Sequence, residues 1–327
     1  MSKLKYFLAL NRAIREEMSR DENVVLIGED VGESGGIFSQ TRGLYNEFGE
    51  LRVRDTPIAE GGFVTMAVGA AATGLRPVIE IGFGDFVTAC MDGLVNQAAK
   101  LRYMLGGQVK VPLVLYTFSG GGLAAGPQHS QCLESWFAHI PGLKVISPST
   151  PMDLLGLFKT AIRDDDPVIC FLGKQLVGTS GEVPQDTKDY LIPLGKADVK
   201  IEGKDITIVT FSQMTPIVMK VAESLKSNHG INAEVIDLRS ISPLDIETVI
   251  KSVSKTGSLC VVQESQSPCS VASEVISKVV EYDSKILYKN PLRITPPFTP
   301  SPFSPNLENI YRPSQASIES QILKLFQ

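Results

Sequence analysis

The stretch "EGGFVTMAVGAAATGLRPVIEI" (residues 60–81) decides the fold class of this chain. Between Glu60 and Arg76 it carries no charge and consists mainly of small and apolar residues, which predicts a tightly packed helix. The run "PVIEI" (77–81) that follows is short and β-branched, as a buried strand is. Helix and buried strand in direct succession indicate an α/β fold.

The same alternation recurs on both sides of this stretch. Helical periodicity occupies residues 91–105 and 151–164. Further strand candidates are the short apolar runs "VVLIG" (24–28), "VPLVLYT" (111–117), "KVIS" (144–147) and "PVICF" (167–171). Continuous apolar strands with helices between them are typical of a parallel sheet that is covered on both faces. We therefore predict a first α/β domain with a parallel sheet at residues 1–180.

A second α/β pattern follows a polar, turn-rich segment at residues 181–198, which is typical of a linker. The runs "ITIVTF" (206–211), "INAEVIDL" (231–238) and "SLCVVQE" (258–264) are each followed by a helical segment. They predict a smaller α/β domain at residues 199–327. Within it, "ITPPFTPSPFSP" (294–305) is too rich in proline for a helix or a central strand and is predicted as a loop.

The amino-acid composition disfavours several classes of protein. The 327 residues are 43% hydrophobic and 20% charged, which is typical of a globular chain of about two domains. The net charge of −5, without a Lys/Arg-rich run, disfavours a nucleic-acid-binding protein. No uncharged apolar stretch is long enough to span a bilayer, so we expect no membrane partner. Five scattered cysteines without a CxxC pair indicate a reducing compartment, and we predict a cytoplasmic protein.

One glycine-rich segment, "SGGGLAAGPQHSQ" (119–131), follows the strand "VPLVLYT". Such a loop after a parallel strand can bind phosphate, but this one lacks the Lys-Ser/Thr pair of a P-loop and the spacing of a dinucleotide site. The sequence instead favours a flexible loop that brings His129 to the carboxyl ends of the sheet, where open α/β sheets bind ligands.

The three histidines are too few and too dispersed for a metal cluster. His229, in "SNHG", is predicted as a solvated helix end, and His139, in "WFAHIPG", as a hydrogen-bonded core residue. For His129 a catalytic or substrate-contacting role and a purely structural one remain equally open. Glu60 has two readings as well, because a carboxylate at the start of a helix is also favoured by the helix dipole alone.

Four stretches together carry a resemblance. They are "RVRDTPIAEGGF" (52–63), "GLRPVIEIGFGDF" (74–86), "GPQHSQCLESWFAHIPGLKVISPSTP" (126–151) and "AEVIDLRSISPLDIETV" (233–249). In this order they closely resemble the beta chain of the thiamin-diphosphate-dependent first component of 2-oxo acid dehydrogenase complexes, a family that includes pyruvate, branched-chain and acetoin enzymes. The resemblance is nearly collinear and implies a transketolase-type pyrimidine-binding domain followed by a transketolase C-terminal domain.

The resemblance assigns roles to four residues. Glu60 matches the acid that hydrogen-bonds a ring nitrogen of the cofactor's aminopyrimidine and so promotes deprotonation of the thiazolium carbon. Phe86 matches the aromatic residue that packs on the pyrimidine, and Gly82 lies near that ring. His129 matches the histidine thought to assist acyl transfer to the lipoyl group of the next component.

Cofactors and partners are implied in the same way. A structural monovalent cation such as K⁺ would be bound by oxygens, largely of the backbone, at Leu113, Ala161, Ile162, Asp164 and Asp166. The GDG motif that holds Mg²⁺ and the diphosphate in these enzymes is absent from the sequence. Thiamin diphosphate is therefore expected to be shared with an alpha subunit that holds Mg²⁺, in an α2β2 heterotetramer.

Several positions depart from the family pattern. Relatives generally have arginine where Tyr116 stands, a larger side chain at Gly82, an acidic residue near Gly173 and aspartate where Phe298 stands. These departures leave three functions open. The first is a 2-oxo acid or acetoin dehydrogenase beta chain that passes its acyl unit to a lipoyl acyltransferase. The second is a biosynthetic relative that transfers a ketol or acyl unit to a carrier-protein thiol, and the third is a non-catalytic scaffold for an alpha chain.

Overall fold

The computed structural model describes all residues from 1 to 327. The chain divides into two compact units. The first unit comprises Met1–Ser119 and Trp136–Leu194, and the second comprises Gly120–Ser135 and Gly195–Gln327. The glycine-rich loop that carries His129 thus belongs to the second unit, although it follows a strand of the first.

Six parallel strands form the centre of the first unit, in the order β6–β7–β5–β4–β2–β3. A short antiparallel pair, β1 and β8, lies apart from them. The strands are β1 (Ser2–Lys5), β2 (Val24–Gly28), β3 (Val53–Asp55), β4 (Arg76–Phe83), β5 (Val114–Ser119), β6 (Lys144–Ile146), β7 (Val168–Gly173) and β8 (Ser180–Val183). The central strands β2, β5 and β7 are buried along their whole length, as the continuous apolar runs predict.

Helices cover this sheet. They are α1 (Tyr6–Arg20), α2 (Leu44–Phe48), α3 (Glu60–Ala72), α4 (Ala99–Met104), α5 (Glu134–Ala138), which spans the boundary between the units, and α6 (Pro151–Arg163). A 3₁₀ segment, Gly84–Cys90, and a π-helical segment, Asp92–Ala98, lead from β4 into α4. The side chains of α1 and α6 form one hydrophobic core with β2, β5 and β7. Thr150 caps α6, because its side chain accepts a hydrogen bond from the amide of Asp153.

The second unit has its own five-stranded sheet, in the order β14–β13–β10–β11–β9, in which only β9 is antiparallel to its neighbour. The strands of this sheet are β9 (Asp198–Ile201), β10 (Ile206–Thr210), β11 (Ala233–Asp237), β13 (Leu259–Val262) and β14 (Leu292–Ile294). A further short strand, β12 (Ser240–Ser242), is not part of it. The helices of the second unit are α7 (Thr215–His229), α8 (Ile246–Thr256), α9 (Val271–Asp283), α10 (Pro305–Tyr311) and α11 (Gln315–Leu323). Residues 295–304 lie outside helices and strands, as the prolines predict.

The prediction of two α/β units is therefore confirmed. The segment predicted as a linker is folded in its first part. Strand β8 begins at Ser180 and pairs with β1, and Ile192 donates its amide to the carbonyl of Gly156 over 3.3 Å. A side chain at Gly156 would collide with Ile192, at 2.6 Å from its Cγ1. Single apolar residues such as Ile192 carry no periodic signal, so the sequence pattern did not reveal them. The domain boundaries at 180 and 199 stay a prediction.

None of the helices combines the length and the apolar character that crossing a lipid bilayer requires.

Candidate active site

The carboxyl ends of strands β2, β3 and β4 lie at the same edge of the first unit's sheet. Strands β2, β3 and β4 are parallel neighbours, so the residues that follow them lie close together. Glu29 follows β2 directly, and Thr56 follows β3. The amide of Thr56 donates to the carbonyl of Gly28 over 3.0 Å, which holds these two loops side by side.

Glu60 is the first residue of α3, at this edge, and its side chain is half-buried. No side chain caps the amides of this helix start, since the preceding residue is Ala59. Gly61 lets the helix approach the segment after β4 very closely. A Cβ at this position would lie 2.8 Å from the carbonyl oxygen of Ala89. The absence of a side chain at Gly61 thus allows α3 to pack closely against the segment that contains Ala89, as the small residues predict.

Glu29 is the carboxylate that faces Glu60. Its pKa is raised by burial and then by the negative charges of Glu60 and Asp30. Its Oε1 atom is buried and has no hydrogen-bond partner, and the same is true of the hydroxyl of Thr56. Buried polar atoms almost always have a partner, so these two unpartnered oxygens, of which that of Glu29 lies near Glu60, mark a place where a ligand can supply donors and acceptors.

Cys90 is a further titratable residue near Glu60. It is fully buried at the end of the 3₁₀ segment, and its thiol has a pKa raised to about 12 by burial, then by Glu60 and by Glu29. A thiol that stays protonated in this way is inert as a nucleophile. The chemistry of this edge therefore rests on carboxyl groups.

A second buried carboxyl group lies further back on β4. Glu80 is 1% exposed and faces Tyr116 on the neighbouring strand β5. The phenol of Tyr116 donates a short hydrogen bond to Glu80, and the side-chain amide of Gln40 donates another over 2.6 Å. No cation pairs with Glu80. Burial raises its pKa to about 7, against the partial compensation from Tyr116 and Gln40. The pKa of Tyr116 is raised as well, by burial first and then by Glu80.

Tyr116, where relatives generally have arginine, is 0% exposed and packs within the core. Its hydroxyl satisfies Glu80 from the interior of the sheet.

Gly82 and Phe86 both follow Glu80 along β4 and the 3₁₀ segment. Both are half-buried. The ring of Phe86 makes an edge contact with Phe83 at 6.0 Å between centroids. A Cβ at Gly82 would meet only the Cδ1 of Ile37, at 3.5 Å, so the strand presents nearly bare backbone there. Glu60, Gly82 and Phe86 thus lie in one unit, on α3, β4 and the 3₁₀ segment, and their roles toward a cofactor stay a prediction.

His129 lies in the second unit, at the end of a short 3₁₀ turn, Pro127–His129, and is half-buried. The glycine-rich loop before it is not an open phosphate cradle. The amide of Gly121 donates to Glu264 over 2.7 Å, and the amides of Gly122 and Ala124 donate to Glu308 over 2.8 and 2.9 Å. The anion-binding amides of this loop are thus already engaged by the protein's own carboxylates.

The other two histidines differ from each other. His229 ends α7, is exposed and lies 3.4 Å from Glu319, in agreement with a solvated helix end. The expectation for His139 is wrong, because it is exposed just after the short helix α5. The apolar residues beside it in sequence, such as Phe137, turn to the core while His139 does not.

The predicted ligands of a monovalent cation converge in the first unit, but the protein already uses their oxygens. The carbonyls of Ile162 and Asp164 accept hydrogen bonds from Arg76 over 3.0 Å each. The carboxylate of Asp164 accepts from Lys144 over 2.7 Å. Leu113 accepts from the amide of Val168, Ala161 from the amide of Asp164, and Asp166 from Arg102 and Lys144. Only second lone pairs remain for a cation, so this site stays a prediction.

Sequence reasoning missed Glu29, Glu80, Glu264 and Glu308. Glu80 did carry a signal, since an acid within the apolar run "VIEI" has to be buried on a strand that is covered on both faces. Glu264 and Glu308 carried none, because their partners lie more than a hundred residues away in sequence.

Comparisons with known proteins cover both units. Residues 2–179 match the model of the family "Transketolase, pyrimidine binding domain", and residues 195–318 match "Transketolase, C-terminal domain". A solved structure titled "Split gene transketolase, inactive beta4 tetramer" superposes with a TM-score of 0.78 at 22% identity, over 97% of this chain and 96% of the other. At that identity the likeness shows the fold alone.

Three curated relatives cover the chain almost completely. The "Acetoin:2,6-dichlorophenolindophenol oxidoreductase subunit beta" of Cupriavidus necator is 45% identical, over 98% of this chain and 97% of its own length. The "Pyruvate dehydrogenase E1 component subunit beta" of Bacillus subtilis is 42% identical over the whole of both chains. The "2-oxoisovalerate dehydrogenase subunit beta" of Bacillus subtilis is 41% identical over 99% of both.

Proposed function

Because the chain belongs to the transketolase-like family of 2-oxo acid and acetoin dehydrogenase E1 beta subunits, we propose that it is the beta subunit of a heteromeric, thiamin-diphosphate-dependent dehydrogenase. The enzyme decarboxylates a 2-oxo acid or cleaves acetoin, and it passes the acyl unit to a lipoyl acyltransferase. The observation that carries the proposal is Glu60 at the start of α3, near the unpartnered buried oxygen of Glu29, with a second such oxygen on Thr56 in the adjoining loop.

These oxygens fit an aminopyrimidine ring. Such a ring offers a ring nitrogen and an exocyclic amine, so it can both accept and donate hydrogen bonds. Glu60 is assigned to the ring nitrogen, and the unpartnered Oε1 of Glu29 and hydroxyl of Thr56 provide the further polar contacts. The exposed part of Phe86 and the bare backbone at Gly82 leave a flat surface for the ring. When bound, the cofactor would supply a nucleophilic thiazolium carbon and a cationic ring that can take up the electron pair of the broken bond.

Glu60 contributes the proton that the cofactor needs. A carboxyl group can hold a proton at the ring nitrogen only if it is not immersed in bulk water. Glu29 lies close enough to Glu60 that the negative charge of Glu60, after burial, raises the pKa of Glu29. General acid–base participation of this kind is typically worth about 10²–10⁴-fold in rate.

The surface of α3 supports a heteromeric assembly. Gly62, Thr65, Met66 and Gly69 lie on one exposed face of this otherwise apolar helix, and the side chain of Met66 is 54% exposed. Ile58, just before the helix, is 84% exposed. Small and apolar residues at helical spacing allow another chain to approach closely. We assign this face to subunit contacts in an α2β2 heterotetramer.

The remaining parts of the cofactor site belong to the partner in this proposal. The only glycine-rich loop in the chain engages Glu264 and Glu308, so it offers no cradle for a diphosphate. The alpha subunit would hold the diphosphate and Mg²⁺. K⁺ would bind to Leu113, Ala161, Ile162, Asp164 and Asp166 through their second lone pairs. His129 would assist acyl transfer. The five cysteines form no disulfide, which supports a cytoplasmic location.

Reconstitution with an alpha subunit tests the proposal. The chain is co-expressed with the alpha chain encoded beside it and offered pyruvate, branched 2-oxo acids and acetoin, with dye reduction as the readout. We expect turnover with one of these substrates, and a loss of about 10²–10⁴-fold in Glu60→Gln. Glu50→Gln, which changes an exposed acid of the same unit, is the matched control.

The choice of acceptor separates the alternatives. Acylation of a lipoyl domain supports the dehydrogenase. Acylation of a phosphopantetheine carrier protein instead would indicate the biosynthetic relative. Full turnover by Glu60→Gln would leave only the scaffold.

A further inference from the structure

The loop that carries His129 is held in the second unit by two carboxylates. We propose that Glu264 and Glu308 are positioning residues for His129, which act by binding the backbone amides of the glycine-rich loop. The functional part of this inference rests on the proposed role of His129 in acyl transfer, and its structural part does not.

The two carboxylates accept hydrogen bonds from three of four consecutive backbone amides of the loop. Glu308, on α10, accepts the amide of Gly122 on one oxygen over 2.8 Å and the amide of Ala124 on the other over 2.9 Å. Glu264, just after β13, accepts the amide of Gly121 over 2.7 Å. The amide of Leu123, between them, has no hydrogen-bond partner. Successive amides that converge on an anion form a nest, and here the anions are two side chains of the same unit.

Both carboxylates are buried, and Glu264 is also held by two side chains of the same unit. Glu264 is 8% exposed and Glu308 is 3% exposed. Arg312 donates to Glu264 over 2.8 and 3.2 Å, and its guanidinium is itself buried. The side chain of Gln213 donates to Glu264 and to the carbonyl of Gly121. A carboxylate that is ion-paired and buried cannot follow a moving loop, so it fixes the loop to the unit.

The glycines are explained by this grip. A Cβ at Gly121 would lie 2.8 Å from Glu308 and 3.3 Å from Glu264. Gly126 has a φ of +76°, and a Cβ there would lie 2.4 Å from the ring of Phe303. The turn that ends at His129 begins directly after Gly126, and the amide of His129 donates to its carbonyl over 3.3 Å. The fixed loop therefore leads without interruption to the imidazole.

Hydrogen exchange of the full-length chain tests the grip without any substitution. The amides of Gly121, Gly122 and Ala124 should exchange more slowly than that of Leu123, in a pattern read at single-residue resolution. Uniformly fast exchange across these four amides would overturn the inference.

Two variants extend the test. In Glu308→Gln the charge is lost and one amide loses its carboxylate oxygen, so Gly122 and Ala124 should exchange at least about tenfold faster. Glu223→Gln, an exposed acid on α7, is the matched control and should leave the loop unchanged. Unchanged exchange in a folded Glu308→Gln protein would refute the grip. Should this variant not fold, the exchange pattern of the natural chain still decides.

Enzyme assays test the positioning. In the reconstituted enzyme, Glu308→Gln should lower acyl transfer more than dye-linked decarboxylation, with the same split as His129→Ala. The double variant should lose no more than His129→Ala alone, because both changes act through one imidazole. Additive losses would refute positioning. If His129→Ala itself showed no split, the proposed role of His129 would fail while the exchange pattern stood.

Discussion

The buried network of Glu80, Tyr116 and Gln40 predicts an unusual pH dependence of stability. Glu80 has a pKa raised from 4.5 to about 7 in the folded chain. Between these values the folded state binds a proton that the unfolded state has released. Stability therefore falls as the pH rises through this interval and levels off above pH 7. At about 1.4 kcal/mol per pKa unit the loss amounts to about 3 kcal/mol. Glu80 is almost completely buried, so solvent screening does not reduce this figure much.

Glu80→Gln removes the titration but keeps the shape. The amide oxygen can still accept from Gln40 or Tyr116, although one polar hydrogen loses its partner, which costs about 1 kcal/mol at every pH. Relative to the natural chain, the variant should therefore gain about 3 kcal/mol between pH 4.5 and pH 8. Tyr116→Phe should act in the opposite direction, because it removes a donor that favours the charged carboxylate and so raises the pKa of Glu80 further.

Urea unfolding at both pH values measures this effect. Trp136 is the single tryptophan of the chain and belongs to the first unit, so its fluorescence reports the unfolding of the unit that contains Glu80. Glu50→Gln, at an exposed position, controls for the loss of a surface charge. Parallel pH profiles for the natural chain and Glu80→Gln would refute the reasoning, since they would show that Glu80 carries the same charge in the folded and unfolded states.

Two further predictions concern the site. The chain purified alone should show no tight binding of thiamin diphosphate by calorimetry, because the diphosphate grip is expected on the alpha subunit; high affinity for the isolated chain would contradict the half-site. His129→Ala in the reconstituted enzyme should retain more dye-linked decarboxylation than lipoyl acylation, since the histidine is assigned to the transfer step; equal losses in both assays, measured beside His229→Ala as a control at an exposed helix end, would remove that assignment.

Patterns that repeat along the chain were readable from the sequence, and isolated contacts were not. The buried strands and the helix that starts at Glu60 follow from continuous apolar runs and small residues, because periodicity is a local property. The apolar neighbours of His139 predicted a buried environment wrongly, because a residue just after a five-residue helix can face outward while its neighbours do not.

The glycine-rich loop shows the limit most clearly. Its composition suggests a phosphate, and the loop does bind anionic oxygens. The oxygens belong to Glu264 and Glu308, which follow the loop by 143 and 186 residues. No spacing rule connects such positions, and only the folded chain brings them together.

The contacts of this loop limit where chimaeric proteins can be joined between two relatives. Residues 120–135 belong to the second unit, although the chain before and after them belongs to the first. The two carboxylates that bind their amides, Glu264 and Glu308, come much later in the sequence. A chimaera joined at residue 195 would combine the loop of one parent with the acids of another, and the fit between them would be left to chance. A functional chimaera therefore has to take residues 120–135 and the segment that contains Glu264 and Glu308 from the same parent.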